Sequence, residues 1–158
     1  MIFFSLSKSK LFKPIYSVFG IGYIKIGSGT FCSLVPCILI FLFLDNLNYF
    51  ARLLILVPIL LISFISLNTN FEKNGVEDKD PSFVVIDEFV GMWISLIFVD
   101  GILLILTSFF LFRFFDITKI LGINKIEKLN GSLGIMLDDI VAGIYTLVIV
   151  FFIKIILV

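Results

Sequence analysis

Four long stretches of this chain carry almost no charge, and that leaves the polypeptide few ways to fold. Phe31 to Leu44 has no charged residue, Phe50 to Leu67 has only Arg52, Phe89 to Phe112 only Asp100, and 139–157 only Asp139 and Lys154. Inside lipid every backbone N–H and C=O must find its partner within the segment, so such runs become helices. A crossing takes roughly 20 residues, with about 17–25 tolerated. The third run is long enough for one crossing, but Asp100-Gly101 in its middle is a turn dipeptide. The pattern therefore predicts five helical spans, at 31–44, 50–67, 83–99, 102–118 and 139–157, with the third and fourth paired as an antiparallel hairpin. Composition agrees: 60% of residues are hydrophobic, 20 are Phe, 15% are charged and the mean hydropathy is +1.20. Soluble domains sit near about 45–50% apolar and about 25% charged. The expected fold class is all-α, a polytopic integral membrane protein forming one membrane-embedded domain over 1–158.

The basic residues orient this layout. With the N-terminus inside, the inner segments hold Lys8, Lys10, Lys13, Lys25, Lys73, Lys79, Arg113, Lys119, Lys125 and Lys128. Only Arg52 and Lys154 remain outside, which favours N-terminus in and C-terminus out. A single span over 89–112 would push the basic 113–137 loop outside, so the count also favours the hairpin. The polar stretches 68–82 and 119–137 then both lie on the inner face. Net charge is zero, so no basic field for nucleic acid exists and no nucleic-acid partner is expected. The first 17 residues place lysines after a very short apolar start and lack a small-residue cleavage site, unlike a cleaved signal peptide.

Chemistry is narrowed by what is missing. The chain has no His, which removes Ser-His-Asp hydrolases, histidine phosphatases and His-liganded zinc sites. Cys32 and Cys37 lie within or beside an apolar run and are expected as free thiols. Neither has an Arg six positions on, where Ile38 and Phe43 stand, so a Cys-x5-Arg phosphatase loop is absent. Catalysis must use carboxylates, Lys, Arg, hydroxyls or a metal held by oxygen.

Three charged groups sit at the inner ends of the expected helices. They are Asp87-Glu88 in DPSFVVIDEFVGMW, the series Arg113, Asp116 and Lys119 in FRFFDITK, and Asp138-Asp139 in GIMLDDIVAG. A glycine- and hydroxyl-rich turn, GSGTFCS at 27–33, leads into the first span. An ionisable group at the centre of a membrane helix costs at least about 2.5–3.5 kcal/mol, so these groups should face a cavity or one another. Magnesium is typically held by one or two carboxylates plus substrate phosphate. Arg forks onto phosphate oxygens, and N–H groups at a helix start favour anions. Together these are the parts of metal-assisted phosphoryl hydrolysis.

Blander roles exist for several pieces. Asp138-Asp139 at a helix start would complement its dipole, and Arg113 and Lys119 would serve as interfacial anchors. Gly91 with Ser95, and Ala142 with Gly143, suit close helix packing and need no chemistry. Asp100 reads as a turn residue. Asp78-x-Asp80 lacks the preceding strand of an aspartyl-phosphatase motif, and Ala142 stands where a prenyl-diphosphate motif needs a third Asp.

The blocks at 27–33, 80–93, 112–119 and 131–143, taken in this order, resemble the phosphatidylglycerophosphatase A family. Its members are Mg2+-dependent bacterial enzymes that remove the terminal phosphate of phosphatidylglycerophosphate to give phosphatidylglycerol. The departures are Cys32 in place of a Gly, ILGI after Lys119 in place of a proline-containing run, and Ser132 in place of the second Gly of a pair; every acidic position is filled. The resemblance implies a phospholipid substrate, Mg2+ as cofactor, and a multi-pass protein of the bacterial cytoplasmic (inner) membrane with its site on the cytoplasmic side. It casts Asp87, Glu88, Asp138 and Asp139 as metal-binding and water-activating carboxylates, with Asp116 as a further ligand or base. Arg113 and Lys119 would bind phosphate, and Gly27, Gly29, Thr30 and Ser33 would cradle the headgroup. Two rivals remain: a lipid phosphotransferase with the same pocket, and a small ion or solute transporter using the carboxylates as a relay. Transport sites usually lie near the midplane on broken helices, whereas these acids cluster towards one face.

Overall fold

The computed structural model describes residues 12–44, 47–74, 83–126 and 132–157. Among them the chain is helical throughout, with no strand. After a short helical turn at 12–16 and a 3-10 turn at Ile21–Tyr23 come α1 (Ser28–Leu39), α2 (Tyr49–Asn74), α3 (Ile86–Ser95), α4 (Gly101–Thr118), α5 (Ile123–Ile126) and α6 (Ser132–Leu157). Lys8, Lys10, Lys79, Lys128 and the Asp78-x-Asp80 pair lie outside the described residues.

Local sequence explains most boundaries. Asn48 Oδ1 accepts the Ala51 N–H at 2.8 Å and caps the start of α2. Pro36 removes one ladder bond inside α1, and the helix then widens into π-type turns over Ile40–Leu44. The turn at Asp100-Gly101 forms as expected, with Gly101 at φ +77, a conformation costly for any residue with a Cβ. α4 ends where Lys119 takes φ +47 and its N–H donates to the Phe115 carbonyl at 2.8 Å.

Among the described residues three helices are long and apolar enough to cross a bilayer: Tyr49–Asn68 within α2, α4 and α6. At 1.5 Å per residue the 26 residues of α6 span about 39 Å and the 18 of α4 about 27 Å, against a hydrocarbon core of about 30 Å. Their outward faces are apolar and exposed, as with Leu54 and Leu61 on α2, Phe110 and Ile117 on α4, and Phe152 and Ile156 on α6. Ser28–Phe43 is a shorter apolar helix.

Two expectations change. The segment 83–99 is not a full-length helix: α3 has 10 residues, about 15 Å, and unwinds into turns over 96–98. It is a short central helix, with eight of its 10 residues buried, packed on α6 above all and also on α1, α2 and α4. Its apolar run arises from burial by protein on every side, which hydropathy does not separate from burial by lipid. The second change concerns the last helix, which begins at Ser132 rather than 139. The helix carries Gly134 within its first turn, so Asp138 and Asp139 sit about two turns inside α6 and do not cap its start.

Apolar packing flanks α3 on two sides. Val90, Trp93 and Ile97 meet Leu56 of α2 and Met136 of α6, while Met92 and Leu96 meet Phe112 of α4 and Ala142 of α6. Beyond its C-terminal end, Arg52, fully buried, donates to the carbonyls of Leu96 (3.1 Å) and Val99. Lys154 donates to the Phe98 carbonyl (3.2 Å), Asp100 and Tyr49, and Trp93 Nε1 donates to the Arg52 carbonyl (3.1 Å). These contacts tie α2, α3 and α6 together at the end away from Asp87.

Candidate active site

The other end of α3 carries Asp87 and Glu88 in its first turn, where the positive end of the helix dipole favours them. The segment entering α3 is held from two sides: the Val85 N–H donates to the Tyr16 carbonyl (3.0 Å), and Cys32 Sγ donates to the Val85 carbonyl (2.9 Å). Cys32 and Cys37 are both free and buried, as expected.

α6 lies against α3 so closely that Asp139 joins the pair. Asp87, Glu88 and Asp139 each present a carboxylate oxygen, all within 4.8 Å of one another. Asp87 and Asp139 are 6% and 4% exposed. Glu88 Oε2 is buried without a hydrogen-bond partner, an expensive condition for a carboxylate oxygen unless a cation satisfies it. Asp138, one residue earlier on α6, points differently. Its Oδ2 accepts from Lys119 Nζ at 2.9 Å and its Oδ1 from the Asp139 N–H at 3.0 Å.

The cationic wall comes from α4. Arg113 pairs with Asp116 on the next turn, and its NH1 lies 3.5 Å from Ser33 Oγ on α1. Ser33 is fully buried and donates back to the Gly29 carbonyl at 2.8 Å. Gly29 has a steric role: a Cβ there would overlap Glu88 Oε1 and come within 3.3 Å of Arg113 NH1. The glycine thus lets the start of α1 close over Glu88. Gly27 precedes α1 at φ +74, and Thr30 is half-buried in the first turn.

The seven ionisable residues expected from sequence to do chemistry thus come to one end of the bundle, in two groups. Asp87, Glu88 and Asp139 converge; Arg113 with Asp116 and Lys119 with Asp138 form two ion pairs beside them. Five carboxylates face two cations, leaving a formal surplus of three negative charges in a poorly hydrated place. A divalent cation would remove most of that surplus. Oxygen-only donors suit a hard ion such as Mg2+ rather than the softer metals that prefer His or Cys. Gly91, Ser95 and Gly143, expected from sequence only to suit close helix packing, meet between α3 and α6; what sequence reasoning did not foresee is that this contact brings Asp139 to Asp87 and Glu88.

The match to known proteins covers nearly the whole chain. The family model described as Phosphatidylglycerophosphatase A matches residues 15–154. A Phosphatidylglycerophosphatase A of Haemophilus influenzae is 36% identical over 155 residues, 94% of each chain. A Bacteroides thetaiotaomicron protein, named as a candidate phosphatidylinositol-3-phosphatase, is 36% identical over 139 residues, 84% of this chain and 86% of its own. A Phosphatidylglycerophosphatase A of Escherichia coli is 38% identical over 82 residues, half of this chain and 46% of its own. No solved structure matches. Every block that holds the acidic and basic residues described above falls inside the matched range, and the chain belongs to the phosphatidylglycerophosphatase A family.

Proposed function

We propose that this chain is a metal-assisted lipid phosphatase that hydrolyses the terminal phosphate monoester of phosphatidylglycerophosphate, giving phosphatidylglycerol and phosphate. The observation that carries the mechanism is the convergence of Asp87, Glu88 and Asp139 beside Arg113 and Lys119. Family membership supplies the headgroup.

Asp87, Glu88 and Asp139 would hold Mg2+, while Asp138 is engaged by Lys119 beside them. When bound, the ion supplies Lewis-acid stabilisation of the charge that develops on the phosphoryl oxygens. Arg113 forks onto the non-bridging phosphate oxygens, oriented by Asp116, and Lys119 adds a point charge from the Asp138 side. Backbone N–H groups at the start of α1, around Gly27, Gly29 and Thr30, take further headgroup oxygens, with the Ser33 hydroxyl behind them. A carboxylate of the group accepts the proton of the attacking water. The water oxygen bonds to phosphorus, the bond to the glycerol oxygen breaks, and that oxygen takes up a proton.

In this reading the one domain passes the bilayer five times, with 83–99 making the third pass as α3 and its flanking turns. Basic residues keep the N-terminus inside, so the site opens on the cytoplasmic side of a bacterial inner membrane, about 10 Å in from the start of α6. A lipid substrate reaches it from the inner leaflet.

The Bacteroides relative favours a second headgroup, an inositol lipid 3-phosphate, for the same chemistry. The test is phosphate release by purified protein in detergent from each lipid, with Mg2+ and with EDTA. Mg2+-dependent release from phosphatidylglycerophosphate is expected. Release only from the inositol lipid would move the assignment, and transfer of phosphate without release would replace hydrolysis by phosphotransfer. EDTA-resistant release would remove the metal.

A further inference from the structure

We infer that Gly91 and Gly143 are positioning residues that set the separation of the carboxylate centre, an inference that rests on reading Asp87, Glu88 and Asp139 as a cation site. Gly91 lies one helical turn after Asp87 on α3, and Gly143 one turn after Asp139 on α6. The two glycines face each other. A Cβ on Gly91 would stand 2.5 Å from the carbonyl oxygen of Asp139 itself and 2.6 Å from Phe112 Cε2. A Cβ on Gly143 would press even closer on the Gly91 carbonyl. Both obstacles include backbone, which cannot swing aside as a flexible side chain does.

The crossing therefore has no slack, and its register matches that of the acids. Ser95, a further turn along α3, hydroxyl-bonds the Gly91 carbonyl at 3.0 Å and reaches the Gly143 carbonyl at 3.5 Å, fastening the same contact. Closely approaching small residues are a general way for membrane helices to pack. Here the contact has a chemical consequence. Carboxylate oxygens borne on two different helices, all within 4.8 Å of one another, separate when the helices do. Mg2+ demands oxygens at about 2.0–2.1 Å, whereas Ca2+ accepts about 2.3–2.6 Å and irregular geometry. A forced separation of α3 and α6 should weaken binding of the smaller ion more than that of the larger.

The test uses full-length protein in detergent and reads Mn2+ binding by electron paramagnetic resonance, with Mg2+ and Ca2+ as competitors and no substrate. Gly91→Ala and Gly143→Ala should each weaken Mn2+ binding about tenfold or more and lower Mg2+ competition relative to Ca2+. Lys154→Met serves as the control, because it loosens the opposite end of the bundle. At a comparable drop in Tm it should leave Mn2+ affinity and the Mg2+/Ca2+ order as in the parent protein. If the alanine variants do not fold, Ser95→Ala decides, with a two- to threefold weakening of Mn2+ expected. Unchanged Mn2+ binding in the folded glycine variants, or in Ser95→Ala where they fail, would overturn the positioning role alone. So would an equal loss in Lys154→Met. A parent protein that binds no Mn2+ would overturn the cation site and this inference with it.

Discussion

The two ends of α3 are both charged, yet they are built on opposite principles. At the C-terminal end, Arg52 and Lys154 face one carboxylate, Asp100, and both also donate to carbonyls that the unwinding helix leaves open. Positive charge there meets the negative end of the helix dipole and the carbonyls exposed at that end. At the N-terminal end five carboxylates face two cations, and a buried Glu88 oxygen has no partner. The first arrangement stabilises a helix end. The second is unfavourable unless something outside the chain completes it, which is how a binding centre differs from a structural cluster.

Exchanging charge at the two ends should separate these roles. The largest effect is expected for Asp139→Asn and Glu88→Gln, which should lower phosphate release on the order of 1,000-fold in an assay with Mg2+ while the protein still inserts with a normal Tm. Near-parental activity in both would place the chemistry elsewhere. Arg113→Gln should follow, with kcat/KM down about 100-fold, and Arg113→Lys should recover only part because it keeps charge without the planar fork. Equal rates for the Lys and Gln variants would show that the fork is irrelevant.

Arg52→Met should invert the pattern. It strands the carbonyls of Leu96 and Val99 and should cost about 2–4 kcal/mol, read as a fall in Tm, while specific activity of the folded fraction stays near normal. A large loss of kcat at unchanged Tm would show that the far end takes part in turnover. The smallest effect is a pH dependence at Asp100. Burial raises its pKa, but hydrogen bonds from Lys154 and Tyr49 and the charges of Lys154 and Arg52 outweigh this and hold it below the usual 3.8. A carboxyl lowered by folding contributes stability above its ordinary pKa and loses it as pH falls through the folded value. Acid unfolding of Asp100→Asn should therefore be slightly less steep below about pH 4 than that of the parent protein. Because Asp100 is 43% exposed, solvent screening keeps the difference small. Identical acid profiles would mean that Asp100 acts only as a turn residue.

Much of this architecture was legible in the residues. Apolar runs marked α1, α2, α4 and α6, because lipid enforces helices wherever charge is absent. Asp100-Gly101 marked the break because glycine alone adopts φ +77 without strain. The acidic and basic groups stood out because charge is rare and costly in such a chain. Less legible were α3, whose burial by protein looks like burial by lipid, and the start of α6, where Gly134 inside the helix obscures the boundary. Asp138 and Asp139 are adjacent letters with different fates, one bonded to Lys119 and the other turned to Asp87 and Glu88.

What the sequence determined by itself is the apolar runs long enough to cross a bilayer, the helical class and the inventory of reactive groups, since these follow from local composition and from the cost of bare polar groups in an apolar setting. What only the tertiary structure decided is which carboxylates meet. That depends on the crossing of α3 and α6 at Gly91 and Gly143, a long-range contact set by the absence of two side chains and by a helix register no local pattern encodes.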